Sequence, residues 1–127
     1  MGRASREKGK RGERECATEM AAVFGLTYGV DARRGVQHQG GPDSPDVVLD
    51  GVPIHIEAKR VERLALWAAI EQARADAPPG SVPVVWHKPN RRGSVVIVET
   101  CRLLELAQAV VNAVGRPTTT EPEQNSD

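Results

Sequence analysis

The sequence predicts a single α/β domain with a mixed central β-sheet of about five strands flanked by helices. Three observations carry that expectation. Apolar spacing alternates between helical and strand periods in the order helix, three strands, helix, two strands, helix. A tight-hairpin signal, Asp50-Gly51, joins two of the strands. A helix lies between the third and fourth strands, where it acts as a crossover and makes the sheet mixed. With 127 residues, 39% of them hydrophobic, the chain has the size of one domain with a modest core and no room for separate catalytic and binding modules.

Each element has its own signal. From about Gly9, the residues Cys16, Ala17, Met20, Ala21 and Phe24 recur at helical spacing and Gly25 supplies the stop. Thr27 to Arg33 alternates loosely, as a strand does, and Arg34 to Ser44 is rich in Gly, Gln and polar groups, which predicts a mobile loop of a length that often serves function. Asp46 to Leu49 and Val52 to Lys59 flank Asp50-Gly51 as the two arms of the hairpin. Leu64 to Ala77, rich in Ala, Leu, Glu and Gln, predicts a second helix halted by Pro78-Pro79-Gly80. Val82 to Trp86 and Ser94 to Glu99 read as strands separated by the basic turn from Lys88 to Gly93. A third helix is expected from about Arg102 to Ala113, and its Leu103, Leu104, Leu106, Val110, Val111 and Val114 exceed what one core contact requires. Either both its sides are buried or one face awaits a partner. The organisation is therefore a basic arm over residues 1–8, a folded domain over 9–114, and a polar tail over 115–127 expected to be disordered.

Formal net charge is zero, so bulk charge favours neither nucleic acid nor membrane. Its distribution is uneven: Arg3, Arg6, Lys8, Lys10, Arg11 and Arg14 crowd the start, while Glu121, Glu123 and Asp127 mark the end. The basic start suits either phosphate contact or a solvated tail. Aromatic residues make up only 3%, too few for the stacking platforms of many single-strand binders. The longest apolar run, Leu64 to Ile70, is too short to cross a bilayer, and a soluble, cytoplasmic protein is expected. Cys16 and Cys101 lack zinc-site spacing and are expected as reduced core thiols.

The chemistry concentrates in the hairpin. A period of two sets His55, Glu57 and Lys59 on one face of its second strand and Ile54, Ile56 and Ala58 on the other. A solvated polar face would look the same. Asp46, however, lies on the paired strand and can approach Glu57, and two close carboxylates beside one lysine favour a cation. Glu13 falls on the inward stripe of the first helix with Cys16, Ala17, Met20 and Phe24, where it either snorkels, bonds Lys59, or joins the carboxylates. His38, His55 and His87 are too dispersed for a zinc set, and His55 is expected as a hydrogen-bonding neighbour at the site margin.

Pro45-Asp46, ten intervening residues, and Glu57-Ala58-Lys59 resemble the signature of the PD-(D/E)XK nuclease superfamily. Lys8-Gly9-Lys10-Arg11-Gly12-Glu13-Arg14-Glu15 resembles the Lys-Gly-x-x-x-Glu-Arg-Glu opening of archaeal and phage Holliday junction resolvases, and together the motifs cover residues 8 to 99. The resemblance implies a restriction-endonuclease-like fold and an active site of Glu13, Asp46, Glu57 and Lys59. It also implies an arginine after the first helix, for which Arg33 and Arg34 are the nearest matches. The family's serine-containing loop is replaced by Gly35 to Gly41.

The implied activity is Mg²⁺-dependent hydrolysis of DNA phosphodiesters, with Mn²⁺ substituting, in DNA recombination and repair. Asp46 and Glu57 would hold the ion, helped by the Ala58 carbonyl, with Glu13 acting through water or on a second ion. Lys59 would orient the attacking water or stabilise the pentacovalent phosphate. Gln72 is either a water-positioning residue or an ordinary helix-surface glutamine. Lys8, Lys10, Arg11, Arg33, Arg34, Lys88, Arg91 and Arg92 are the candidate DNA contacts, the last three equally readable as a solvated hairpin tip. The expected partner is a four-way junction, cut by a homodimer. Competing readings are a related nuclease acting on flaps, forks or duplex, and a non-catalytic DNA-binding module.

Overall fold

The computed structural model describes residues 3–35 and 46–115, with side chains from Gly9 onward. The expected loop beyond Gly35, Pro45 and the polar tail beyond Gly115 lie outside the described residues. Helix α1 spans Arg3–Phe24, strand β1 Ala32–Arg34, β2 Val47–Leu49 and β3 Ile54–Lys59. There follow α2 (Leu66–Asp76), β4 (Val82–His87), β5 (Val95–Ile97), a 3-10 turn (Thr100–Arg102) and α3 (Leu103–Val114). The five strands form one sheet in sequence order, with β3 and β4 parallel and every other neighbouring pair antiparallel. The chain is thus an α/β protein with a five-stranded mixed sheet flanked by three helices. No helix among the described residues is long and apolar enough to cross a membrane.

Local chemistry explains most of these boundaries. Gly25 ends α1 at a φ of +68°, in the left-handed region that a residue without Cβ enters at little cost. Gly51 does the same in the hairpin at +79°. α1 starts six residues before the expected Gly9, so residues 3–8 of the basic arm continue the helix. β1 is shorter than expected. The Thr27 carbonyl accepts from the N–H groups of Val30, Asp31 and Ala32, closing a turn that delays the strand until Ala32.

Two layers cover the sheet. α1 lays Cys16, Ala17, Met20, Ala21 and Phe24 on Val47, Leu49, Ile54, Ile56, Val82, Val84 and Trp86, and Ala109 of α3 joins the same core. On the opposite face, Ala69, Ile70 and Ala73 of α2 pack on Val85, with Leu64 and Ile97 at the margin. Small alanines let α2 approach closely. Consequently the polar face of β3 is not solvated: His55 and Glu57 are only 2% and 4% exposed. A parallel pair with its crossover helix is covered on both faces, which is the physical reason.

The two cysteines part company. Cys16 is fully buried, and burial pushes its thiol up, whereas Cys101 is exposed on the 3-10 turn and is no core thiol. α3 buries Ala109 and tucks Leu106, Val110 and Ala113 partly against the core. Leu103, Leu104, Val111 and Val114 remain exposed, Leu104 to 84%.

Candidate active site

The hairpin register pairs Val47 with Ile56, which brings Asp46 beside Glu57 at the end of β3. The Asp46 N–H donates to the Ile56 carbonyl at 3.1 Å, and Asp46 Oδ2 accepts from the Ala58 N–H at 2.9 Å. The carboxylate therefore lies toward the plane of the sheet. Because the N–H and C=O of a strand residue leave by the same edge, the Ala58 carbonyl is also directed to Asp46. Glu57 projects from the α2 face, and Glu13 approaches from the α1 face. The negative charge of Asp46 acts on both.

This convergence has an electrostatic signature. Burial, followed by the Asp46 charge, pushes Glu57 up to about 7, against the opposing pull of Lys59. Burial also raises Glu13, partly countered by a 3.0 Å bond from Arg34 Nε to Glu13 Oε1. Glu13 thus bonds Arg34 and not Lys59. Lys59 Nζ lies 3.8 Å from Glu57 Oε2 and 3.4 Å from Gln72 Oε1, so the ammonium is held between the two side chains. Three carboxylates against the Lys59 ammonium and the Arg34 guanidinium retain one excess negative charge, but the oxygens of Glu13, Asp46 and Glu57 are not drawn within 4.8 Å of one another, so a hard divalent cation would have to gather them.

The expected DNA contacts divide. Arg34 joins the site through Glu13, while Arg33 turns away to pair with Asp50 at 3.1 Å near the hairpin turn. Parallel pairing carries Lys59 of β3 and His87 of β4 to the same end of the sheet, and the Lys88 N–H bonds the Lys59 carbonyl. The turn holding Lys88, Arg91 and Arg92 therefore emerges beside the carboxylates, with both arginines exposed. Lys10 and Arg11 are exposed on α1 just ahead of Glu13, and Lys8 lies one turn earlier in the helix.

Arg60, which sequence reasoning passed over, binds these pieces together. Its guanidinium donates to Glu15 Oε1 and to Asn90 Oδ1, each at 2.8 Å. Gly12 permits the contact: a Cβ there would sit 2.6 Å from Arg60 Cβ. On the same α1, Glu19 accepts from the Trp86 indole N–H and the Ser94 hydroxyl. Asp76 was also missed. As the last residue of α2 it comes to Glu57 and His55, and only its i, i+4 spacing from Gln72 hints at a shared helix face. No family model, curated protein or solved structure matches the chain.

Proposed function

We propose that the chain is a metal-dependent DNA endonuclease of the PD-(D/E)XK type, acting as a homodimer on four-way junctions with Mg²⁺ or Mn²⁺. The observation that carries this reading is that the hairpin register sets Asp46 beside Glu57, with Lys59 3.8 Å from Glu57 and with Glu13 within electrostatic reach of Asp46, at one end of the sheet. Asp46, Glu57 and the Ala58 carbonyl would hold the ion, and Glu13 would assist from the α1 side. When bound, the cation supplies an activated water and neutralises charge on the phosphate. Lys59, tethered by Gln72, orients the attacking water or meets the charge on the phosphate. Arg34 keeps Glu13 turned inward, and Lys10, Arg11, Lys88, Arg91 and Arg92 offer phosphate contacts around the same end of the sheet.

Two symmetric cuts need two centres, and an isologous pair of small domains supplies them. The exposed Leu103, Leu104, Val111 and Val114 on α3 support a second copy as the partner. The test compares cleavage of a four-way junction, a flap, single strands and linear duplex in Mg²⁺, with Asp46→Asn as control. Metal-dependent cutting of the junction, lost in the variant while DNA binding persists, is the expected result. Preference for flap or duplex would move the substrate, and binding without cutting would leave a DNA-binding module. Sedimentation reads the dimer, and mixing with an inactive chain should give dimers that nick one strand of a junction.

A further inference from the structure

We propose that His55, Glu57 and Asp76 form a second cation site, selective for a transition-metal dication such as Mn²⁺, on the α2 face of the sheet. The site goes beyond the nuclease reading, although it shares Glu57 with that centre. Each residue offers one ligand atom, and the three atoms lie within 4.8 Å of one another. Neighbouring donors about 2.1 Å from a common ion lie roughly 3.0 to 3.6 Å apart, so the three side chains would draw together by about an ångström to close on one. His55 and Glu57 stand two residues apart on one face of β3, and the final turn of α2 brings Asp76 over them. The two sides come from rigid elements, a parallel strand and its crossover helix.

The surroundings favour a cation. Two carboxylates meet the C-terminal end of α2, where the unpaired carbonyls add partial negative charge. The one basic residue in that last turn, Arg74, is directed to Glu99 at 3.5 Å. Half-buried Asp76 gives the site a way out to solvent, while the other two donors are more than nine-tenths buried.

The donor types set the choice of ion. One imidazole with two carboxylates is a borderline set that binds Mn²⁺, Fe²⁺, Co²⁺ or Zn²⁺, whereas Mg²⁺ prefers oxygen donors and retains its waters. Glu57 Oε2 faces Lys59 Nζ at 3.8 Å, and because a carboxylate has two oxygens the glutamate can keep that ammonium on one while turning the other to the ion beside His55. The chain would then hold a Mg²⁺-compatible oxygen site and a nitrogen-containing site on either side of one glutamate.

Mn²⁺ titration of the full chain without DNA, followed by electron paramagnetic resonance, reads the site directly. Bound Mn²⁺ should show coupling to an imidazole nitrogen. The coupling should persist in Asp46→Asn and vanish in His55→Gln, and Asp76→Asn should weaken Mn²⁺ binding by at least about tenfold. Absence of nitrogen coupling in the wild type, or unchanged Mn²⁺ affinity in Asp76→Asn, overturns the proposal. An imidazolium–carboxylate pair that holds no ion would give both of those results. Should His55→Gln fail to fold, as circular dichroism would reveal, the wild-type spectrum and Asp76→Asn still decide. Failure here leaves Mg²⁺-dependent cutting untouched, and failure of the cutting assay leaves the spectrum untouched, so the two readings are judged separately.

Discussion

Replacing Glu57 by Gln should make the protein's stability relative to wild type rise with pH and, on the proposed reading, abolish cutting. The native state holds the Glu57 proton more tightly than the unfolded chain does, because burial and Asp46 raise the group from 4.5 to about 7. The sign follows: stability falls as pH climbs from 4.5 to about 7 and levels off above. At 1.36 kcal/mol per pH unit, ionising this carboxyl costs the fold about 3 kcal/mol at most, with less than about 1 kcal/mol of it already felt at pH 5. Glutamine has the same shape and no titration. Any fixed cost of burying its amide is the same at both pH values, so it drops out of the comparison. Urea unfolding in a chelator should therefore show the stability of Glu57→Gln relative to wild type rising by about 2 kcal/mol between pH 5 and pH 8. Mg²⁺ should restore wild-type stability at pH 8 and do little for the variant. Parallel pH profiles for the two proteins would refute the argument, since they would mean that Glu57 ionises in the native state as easily as in water.

Gly9 and Gly12 form a matched pair in α1. A Cβ at Gly9 meets nothing within 4 Å, so Gly9→Ala should stabilise by up to about 1 kcal/mol, whereas Gly12→Ala drives into Arg60 and should destabilise by about 1–3 kcal/mol, both read by thermal unfolding. Arg91→Ala with Arg92→Ala should weaken binding to every DNA shape and reduce the salt slope by roughly one for each phosphate no longer neutralised, with cutting at saturation little changed. An unchanged slope would assign the turn to solvent. A thiol reagent added to the native protein should label Cys101 quickly and spare Cys16 until urea is added, because one is exposed and the other fully buried with a raised thiol.

How much of this was legible depended on whether the determinant was local. Asp50-Gly51 specifies its turn by backbone chemistry alone, so the hairpin and the approach of Asp46 to Glu57 could be read from a few residues. Glu13 was legible for a similar reason, since the stripe from Cys16 to Phe24 orients the whole helix. The start of α1 was not, because Gly9 and Gly12 are poor helix formers and Ala4 alone among residues 3–15 is apolar, too little to show a period. The burial of His55 and Glu57 was hidden by the alternation itself. Period two reports that two faces differ, and it is silent on whether a crossover helix covers the polar one. Arg60, Asp76 and the choice of Arg34 over Arg33 all depend on how α1 and α2 dock, which no short window of sequence encodes.

The bonds made by Arg60 and Glu19 bear on the order in which the molecule comes together. Glu15 and Arg60 are 45 residues apart, Arg60 and Asn90 are 30 apart, and Glu19 reaches Trp86 and Ser94 across 67 and 75. Closing such long loops is entropically slow, so these are contacts a folding chain makes late. During synthesis, α1 leaves the ribosome first, and β1 to β3, on which it packs, follow well before β4. A growing chain can therefore gather Glu13, Asp46 and Glu57 against those strands before Trp86 and Ser94 exist to fasten the helix. The lasting hold on the gathered carboxylates comes only when nearly the whole domain has been made.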